Sequence, residues 1–335
     1  VERVPARDME ALRSPLMGLF EKRRARSFFL YVQDWRADDP RTHAGRDLAR
    51  LPMGALYADF GLDPATVDFI GHGLALHTDD AYLNQPALDT VRRIQLYNDS
   101  LHRFAGTRSP YIYPLYGLGE LPQAFARLAA VHGGTYMLGQ EGAEVVWEEE
   151  EGTGRKRAVG VRTASGTAHA PLVIGDPSYF PGRTTASSRV VRAACILSHP
   201  IPGTADAGST QIILPQKQVP GRGSDIYVFC CSAAHCVSPR GKWLAFVSTT
   251  VETGDPEAEL APGLALLGAV DAQAVWVSEV HAPLDDGSVS RAFISRGYDP
   301  TSHFESTIED VLGLYRRITG RELDLDAKPP GQDGG

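Results

Sequence analysis

The residues that could do chemistry fall into three groups. Gly117 and Gly119 stand two apart in YPLYGLGELPQAFARLAAVHGGTYML (113–138), ahead of a helix-like run that Gly133 and Gly134 close. Cys230, Cys231, His235 and Cys236 lie close together and are the residue types that bind zinc. Ser198 beside His199, and Ser232 near His235, pair a hydroxyl with an imidazole as hydrolysis requires. Each chemistry demands more than residue types. A dinucleotide loop needs G-x-G-x-x-G directly after a buried strand, whereas Pro122 fills the third glycine position and Pro114 interrupts the preceding YIYPLY, where a central strand would not tolerate it. Metal ligands in a strand or turn usually come as C-x₂-C, and neighbours on a strand point to opposite faces, so the cysteines read as free thiols. His72, His77, His199 and His235 show no carboxylate and nucleophile around them, and nothing resembles a nucleophile elbow. No catalytic residue is assigned.

Composition narrows the classes further. The 335 residues are 43% hydrophobic and 22% charged with a net charge of -8, a globular and mildly acidic balance that makes free nucleic acid a poor partner. The length allows two domains. No apolar run approaches the roughly 20 residues that span a bilayer, and the opening VERVPARDMEALRSP has neither the apolar core nor the cleavage site of a signal peptide. Cys195, Cys230, Cys231 and Cys236 lack the paired spacings of a disulfide framework. These features predict a cytoplasmic protein.

The elements that must position any site divide in two. Residues 1–105 read as helices: a run ending in SFFLYVQDW, then LPMGALYADF, PATVDFIGHGLAL and ALDTVRRIQLYNDSLHRF, in which Val91, Ile94, Tyr97 and Leu101 recur at helical spacing. Pro64, Pro86 and Asp39-Pro40 punctuate them as helix starts and turns. The basic EKRRAR run (21–26) reads as a solvated face. Pro15 lies where the first helix should continue. From 106 to 326 the pattern is mixed: a helix over 121–131, strand-like GTYML, a hairpin in EVVWEEEEGTGRKRAVGVRT, a short buried strand in APLVIGDPSY, and further strands in VVRAACIL, TQIILP, DIYVFCC, WLAFVSTTVE, AVWVSEV and RAFISRGYD. Helices are predicted at 256–267 and 304–318, and residues 327–335 form a disordered tail by composition. The fold class is α/β, a mixed-sheet domain beside a smaller all-helical one.

SPYIYPLYGLGELPQAFARLAAVHGGTYML closely resembles the central segment of the Rab GDP-dissociation inhibitors, whose fold is related to flavin oxidoreductases but carries no flavin. Collinear matches extend the resemblance: LMGLFEKRRARSFFLYV (16–32), DFIGHGLAL (68–76), DDAYLNQPALDTVRRIQLYNDSL (79–101), ACILSHPI (194–201), QIILPQKQV (211–219), FVSTTVET (246–253) and YDPTSHFESTIEDVLGLYRRITG (298–320). The resemblance implies an FAD/NAD(P)-binding-like large domain without cofactor, and a non-enzymatic protein that binds GDP-bound prenylated Rab GTPases, slows GDP release and retrieves them from membranes. It implies a cytoplasmic protein with transient peripheral membrane contact. The family's opening strand, Gly-rich loop and an aromatic platform residue have no counterpart here, so the large domain is expected to lack its first portion, leaving strand edges and core faces exposed. Two alternatives are a flavin-dependent oxidoreductase of the amine-oxidase-like superfamily and a Rab escort protein.

Carried over residue by residue, the resemblance places Glu120, Gln123, Arg127, Thr135 and Met137 on the platform that grips Rab. Chemistry agrees, since Arg127 is a planar multidentate donor, Glu120 an acceptor and Met137 an adaptable apolar contact. By spacing alone Arg127 is a solvated helix residue and Glu120 a first-turn acid favoured by the helix dipole. The segment 106–113 matches one the family uses flexibly in membrane or GTPase engagement; an interdomain linker fits it equally. The helical part matches the domain that holds the geranylgeranyl lipid, with Leu16, Leu19, Phe20, Phe29, Val32, Ile94 and Leu101 as lining residues. An ordinary helical core shows the same pattern.

Overall fold

The computed structural model describes residue 4 and residues 18–104, 109–325 and 327. In chain order its helices are α1 (Leu19–Asp34), α2 (Met53–Asp59), α3 (Pro64–Asp68), α4 (Ala87–His102), α5 (Glu120–Val131), α6 (Ala261–Leu264) and α7 (Glu305–Thr319). Its strands are β1 (Glu144–Glu149), β2 (Lys156–Thr163), β3 (Gly166–His169), β4 (Val173–Gly175), β5 (Thr184–Leu197), β6 (Ser209–Leu214), β7 (Ile226–Ser232), β8 (Trp243–Thr250), β9 (Ala272–Pro283) and β10 (Ala292–Ile294). The fold is mixed α/β with an all-helical opening portion. The chain divides into two compact units, Val1–Leu121 with Ala193–Ala274, and Pro122–Arg192 with Val275–Gly335.

The first unit holds the larger core. On α1 the inward positions are Glu21, Ala25, Phe28 and Val32, the stripe that a 3.6-residue period aligns. Phe28 and Val32 meet Met53, Leu56 and Tyr57 of α2 and Val91 and Ile94 of α4 in one apolar cluster, with Tyr97 packed against it. The EKRRAR run is therefore only partly solvated: Arg23 and Arg26 face water while Glu21 and Ala25 are buried. Glu21 is not stranded, because it pairs with Arg24 and accepts the Asp63 backbone N–H at 2.9 Å. Asp63 in turn caps α3 by accepting from the Thr66 N–H at 2.8 Å, ahead of Pro64 in the first turn. At the other end of α1, the Gln95 side chain donates to the carbonyls of Val32 and Trp35 at 2.7 and 2.9 Å, satisfying acceptors that a helix end leaves open.

From α3 the chain runs directly into a π-helical turn, Phe69–Leu74. Gly71 makes that turn possible: a Cβ there would sit 1.9 Å from the Tyr82 hydroxyl oxygen. The strands of this unit lie in the antiparallel order β6-β7-β8, and the sheet continues through β5 to β9. β7 is an interior strand, paired on both sides and buried along nearly all of its length, which explains the unbroken apolar run DIYVFCC. The long helix predicted at 256–267 is a 3-10 turn (Ala258–Leu260) followed by the single turn of α6. Pro262 removes an N–H, and Gly263 presses so closely on the sheet that a Cβ would lie 2.5 Å from a Val247 methyl.

In the second unit β1, β2 and β3 form an antiparallel meander, with a register shift between Val146 and Trp147. β4 and β10 form a parallel pair. Ala158, Val173, Phe180, Ala292 and Ile294 are its buried cluster, with Val145, Trp147 and Val161 against it. GTYML is not a strand: after α5 the chain turns at Gly133 (φ +90°), the Gly134 N–H returns to the Ala129 carbonyl at 2.9 Å, and residues 134–140 continue without a paired neighbour. α7 ends at Gly320 (φ +74°), a left-handed cap position that glycine occupies freely. Of the predicted disordered tail, residues other than Ala327 lie outside those described, as does Pro15.

Gly71→Ala should destabilise the folded chain by about 1–3 kcal/mol, the usual range for an overpacked interior. Denaturant unfolding monitored through the aromatic helical core would measure it, and an unchanged midpoint would contradict the tight Gly71–Tyr82 approach.

Candidate functional site

The hydroxyl and thiol groups that suggested chemistry are engaged otherwise. The Ser198 hydroxyl donates to Asp271 at 2.5 Å and accepts from the Lys242 ammonium at 2.7 Å. His199 instead faces the carbonyls of Pro200 and Ala269 at 2.8 and 3.0 Å, so no Ser198–His199 dyad forms. Ser232 accepts from the Ala234 N–H, a local turn contact. Cys230 and Cys231 are buried neighbours on β7, while Cys236 is exposed on the turn that follows. Burial pushes the Cys230 thiol up to about 12 and also raises Cys231 and Cys195, leaving these three as neutral thiols, unsuited to metal ligation or nucleophilic attack at neutral pH.

The G-x-G segment is a turn that launches a helix. Its approach is anchored in the first unit, where the Tyr113 ring stacks on Phe229 at 5.1 Å and meets His235 edge-on at 5.3 Å. The Tyr116 N–H donates to the His235 carbonyl at 2.9 Å. Tyr116 (φ +68°) and Gly117 (φ +97°) then both adopt left-handed conformations, reversing the chain so that the carbonyls of Gly117 and Leu118 receive the first N–H groups of α5 from Glu120 and Leu121. The reversal explains glycine at 117 without a phosphate.

Glu120, Gln123 and Arg127 are all exposed on α5, at offsets of three and four residues that place them along one side. Thr135 and Met137 are exposed in the extended stretch that follows. The helix buries none of its residues. Beside the polar side runs an apolar stripe of Leu121, Phe125 and Leu128, with Phe125 69% exposed, and Tyr136 and Leu138 are open as well. A contiguous apolar stripe next to an arginine and a glutamate has the makeup of a protein-binding surface: aromatic and aliphatic area for contact, charge for register.

The residues expected to line a lipid site are dispersed. Leu16 and the side chain of Leu19 lie outside those described. Phe20 is 79% exposed on α1, Phe29 is half-buried against the helical core, and Leu101 is half-buried near the end of α4. Val32 and Ile94 are interior members of that core. Core and pocket share one apolar signature in sequence, so only packing separates them. Among the described residues, no helix is long and apolar enough to cross a membrane.

A buried charge network in the first unit had no signal in the sequence. His72, 1% exposed on the π-turn, places Nδ1 2.7 Å from an Asp225 carboxylate oxygen and Nε2 3.2 Å from Asp80. Asp225 is fully buried and also accepts the Gln216 N–H at 2.8 Å. The Lys217 ammonium bonds Asp68 at 2.8 Å and Asp80 at 3.1 Å. Asp68, His72 and Asp80 are close enough together to suggest a metal site, but the ammonium supplies the positive charge their carboxylates call for, and the group is a salt-bridge network. Burial opposes charge on His72, yet the hydrogen bonds and charges of Asp225 and Asp80 outweigh it and raise the imidazole above its ordinary value. For Asp225 desolvation wins over the His72 contact and the carboxyl is raised. Asp80 is lowered: desolvation alone would raise it, and Lys217 and His72 overcome that. Nearby, His77 stacks on Tyr82 at 4.0 Å and faces the Thr90 hydroxyl at 2.9 Å. Desolvation, with Arg93 adding to it, lowers His77 to about 4.

The structure thus defines a mixed α/β protein whose outstanding exposed feature is a loop-and-helix surface. The family model for GDP dissociation inhibitors matches residues 1–330. Guanosine nucleotide diphosphate dissociation inhibitor 1 of Arabidopsis thaliana is 54% identical over 325 residues, covering 97% of this chain and 72% of its own length. The Rab GDP-dissociation inhibitor of Saccharomyces cerevisiae is 48% identical over 326 residues, with 97% and 71% coverage. The crystal structure of Rab GDI from Plasmodium falciparum superposes with a TM-score of 0.87 at 39% identity, covering 96% of this chain and 72% of that one. The chain belongs to the GDP dissociation inhibitor family.

Stability should fall as pH drops from the unfolded histidine value near 6.5 toward 4, because the unfolded chain protonates His77 more readily than the folded one. The contribution at stake is up to roughly 3 kcal/mol. Thermal unfolding across that range should show a flatter acid limb for His77→Gln, and parallel curves would remove His77 as the cause.

Proposed function

We propose that this chain is a Rab GDP-dissociation inhibitor that binds GDP-bound, prenylated Rab GTPases, slows GDP release, and keeps the lipid out of water while Rabs are withdrawn from membranes. The observation that carries this reading is the joint exposure of Glu120, Gln123, Arg127, Thr135 and Met137 on α5 and the stretch after it. Arg127 offers a planar fork suited to a carboxylate or to backbone carbonyls of a partner. Met137 and the neighbouring apolar stripe supply adaptable contact area. Holding the partner's switch segments in their GDP arrangement needs no bond to be made or broken, only a surface that prefers one arrangement over the other. The protein acts as a regulator with no catalytic residue and no cofactor of its own.

Lipid capture is the second half of the reading. Each buried methylene of a geranylgeranyl chain is worth about 0.8 kcal/mol, so a partly open apolar site on the helical portion can compete with the bilayer. Phe20, Phe29 and Leu101 are the members of the expected lining that keep accessible surface, and they are the ones assigned to it here together with Leu16 and Leu19. Transient contact with the membrane surface and return to the cytoplasm follow from that exchange.

Arg127→Ala should weaken binding of Rab–GDP by about 1–3 kcal/mol, the range of a charge-assisted contact, while leaving the folded state unaffected because the side chain is solvent-facing. Titration calorimetry with a prenylated Rab loaded with GDP measures this, and unchanged affinity removes Arg127 from the interface. For the lipid, the full chain should bind a geranylgeranylated peptide more tightly than the same peptide without lipid, and Phe29→Asp should abolish the difference. Equal affinities for the two peptides would place the lipid elsewhere.

A further inference from the structure

We propose that a proton on His72 fastens the helical residues 19–102 to the strand-built residues 209–250, and that this joint opens when the proton is lost. The ring's surroundings carry the inference. Nδ1 faces the Asp225 carboxylate at 2.7 Å and the His77 carbonyl at 3.1 Å, and Nε2 faces the Asp80 carboxylate at 3.2 Å. With Asp225 and Asp80 ionised, all three are acceptors. A neutral imidazole has one N–H and one lone pair, so in either tautomer it would point a lone pair at an acceptor; only the imidazolium can donate from both nitrogens. The ring is 1% exposed and Asp225 fully buried, so water is not at hand to replace a lost hydrogen bond.

The joint links segments far apart in the chain. Asp225 is 153 residues from His72 and introduces β7. Its second carboxylate oxygen holds the Gln216 N–H, and its carbonyl accepts from the Thr249 hydroxyl on β8 at 2.8 Å. Lys217, next to Gln216, reaches back to Asp68 and Asp80 on the helical side. The groups facing the ring are therefore Asp225, Asp80 and the His77 carbonyl, with Lys217 and Asp68 beside Asp80, Tyr82 edge-on at 6.2 Å, and the His77 ring stacked on Tyr82. Asp89 and Arg93 of α4 act on His77. Among the described residues, losing the His72 proton leaves Asp68, Asp80 and Asp225 with Lys217 as the cation of the network.

The sign of the effect is fixed. His72 titrates higher in the folded chain than in the unfolded one, so the joint contributes fully below the unfolded value near 6.5 and is lost as pH rises through the folded value. This is opposite to His77, whose demand for neutrality penalises acid. His72 therefore sets the alkaline limit of the closed joint, and His77 opposes it in acid.

The test uses the full chain. Long-range nitrogen NMR of the histidine side chains at pH 6.5 should show both His72 ring nitrogens protonated, and a singly protonated ring at that pH overturns the proposal. Hydrogen-exchange protection factors, corrected for intrinsic rates, should fall for residues 69–77 and 226–230 between pH 6.5 and the far side of the His72 titration. Protection that stays constant through that titration overturns it. His72→Gln should remove the alkaline loss of protection while retaining the acid limb; an unchanged alkaline limb in this variant overturns the proposal. Should His72→Gln fail to fold, Asp80→Asn keeps the test open, because removing one of the two carboxylates should move the His72 titration and the loss of protection together to lower pH. A shift in one without the other counts against the joint.

Discussion

The contact on which the first unit depends is the buried pairing of His72 with Asp225. Apolar surfaces of the helical portion would pack on a sheet in many orientations, because the hydrophobic effect has no direction. An ion pair with both partners removed from water does have one, and breaking it by removing either partner typically costs ~3–5 kcal/mol because a charge is left uncompensated. Desolvation makes such a pair a weak source of net stability. The pair ties the π-turn to the start of β7 at a defined point, with Gln216 and Thr249 bonding the remaining oxygens of Asp225 and Lys217 bonding Asp68 beside it.

That constraint reaches back into local structure. His72 points at Asp225 from a π-helical turn, which adds a residue to the ordinary helical repeat and so changes which side chains face inward. The turn is possible because Gly71 yields its space to Tyr82, whose ring in turn stacks on His77. A local departure from α-helix, a glycine and two histidines whose titrations are pushed in opposite directions therefore form one assembly. Each element would be unremarkable alone.

Much of this architecture was legible in the residues. α4 and α5 follow their 3.6-residue periodicity, and the β1–β2 hairpin and the β7 run follow strand patterning. Where the reading failed, a specific local or distant contact prevailed. The 256–267 helix is cut short by Pro262 and by Gly263 against Val247, and GTYML has strand composition but no paired neighbour. Val32 and Ile94 carry the same apolar spacing whether they line a pocket or fill a core, and only three-dimensional packing puts them in the core. The His72–Asp225 pair left no trace, since its partners are 153 positions apart and neither belongs to a spaced motif. The platform residues came from resemblance to a family; their periodicity alone describes a solvated helix.

The same glycines, serines and cysteines that suggested nucleotide, hydrolytic or metal chemistry turn out to be structural parts of the surface or its support. Gly117 reverses the chain, Ser198 belongs to a Lys242–Asp271 cluster, and Cys230 and Cys231 are buried on an interior strand of the sheet. What this arrangement provides is rigidity at one place. The turn before α5 is held by Tyr113 on Phe229 and by the Tyr116 N–H on His235, so the start of the helix is fixed before any partner arrives. A partner meeting Glu120 and Arg127 on such a helix forgoes less ordering entropy than one meeting a mobile loop. For a protein that regulates by holding another in one of two states, the affinity gained by this preorganisation is useful only as far as the surface distinguishes those states. In the function we propose, the fixed spacing of Glu120, Gln123 and Arg127 would supply that discrimination, because polar contacts at set distances reward one arrangement of a partner's backbone, whereas the adjacent apolar stripe would accept either.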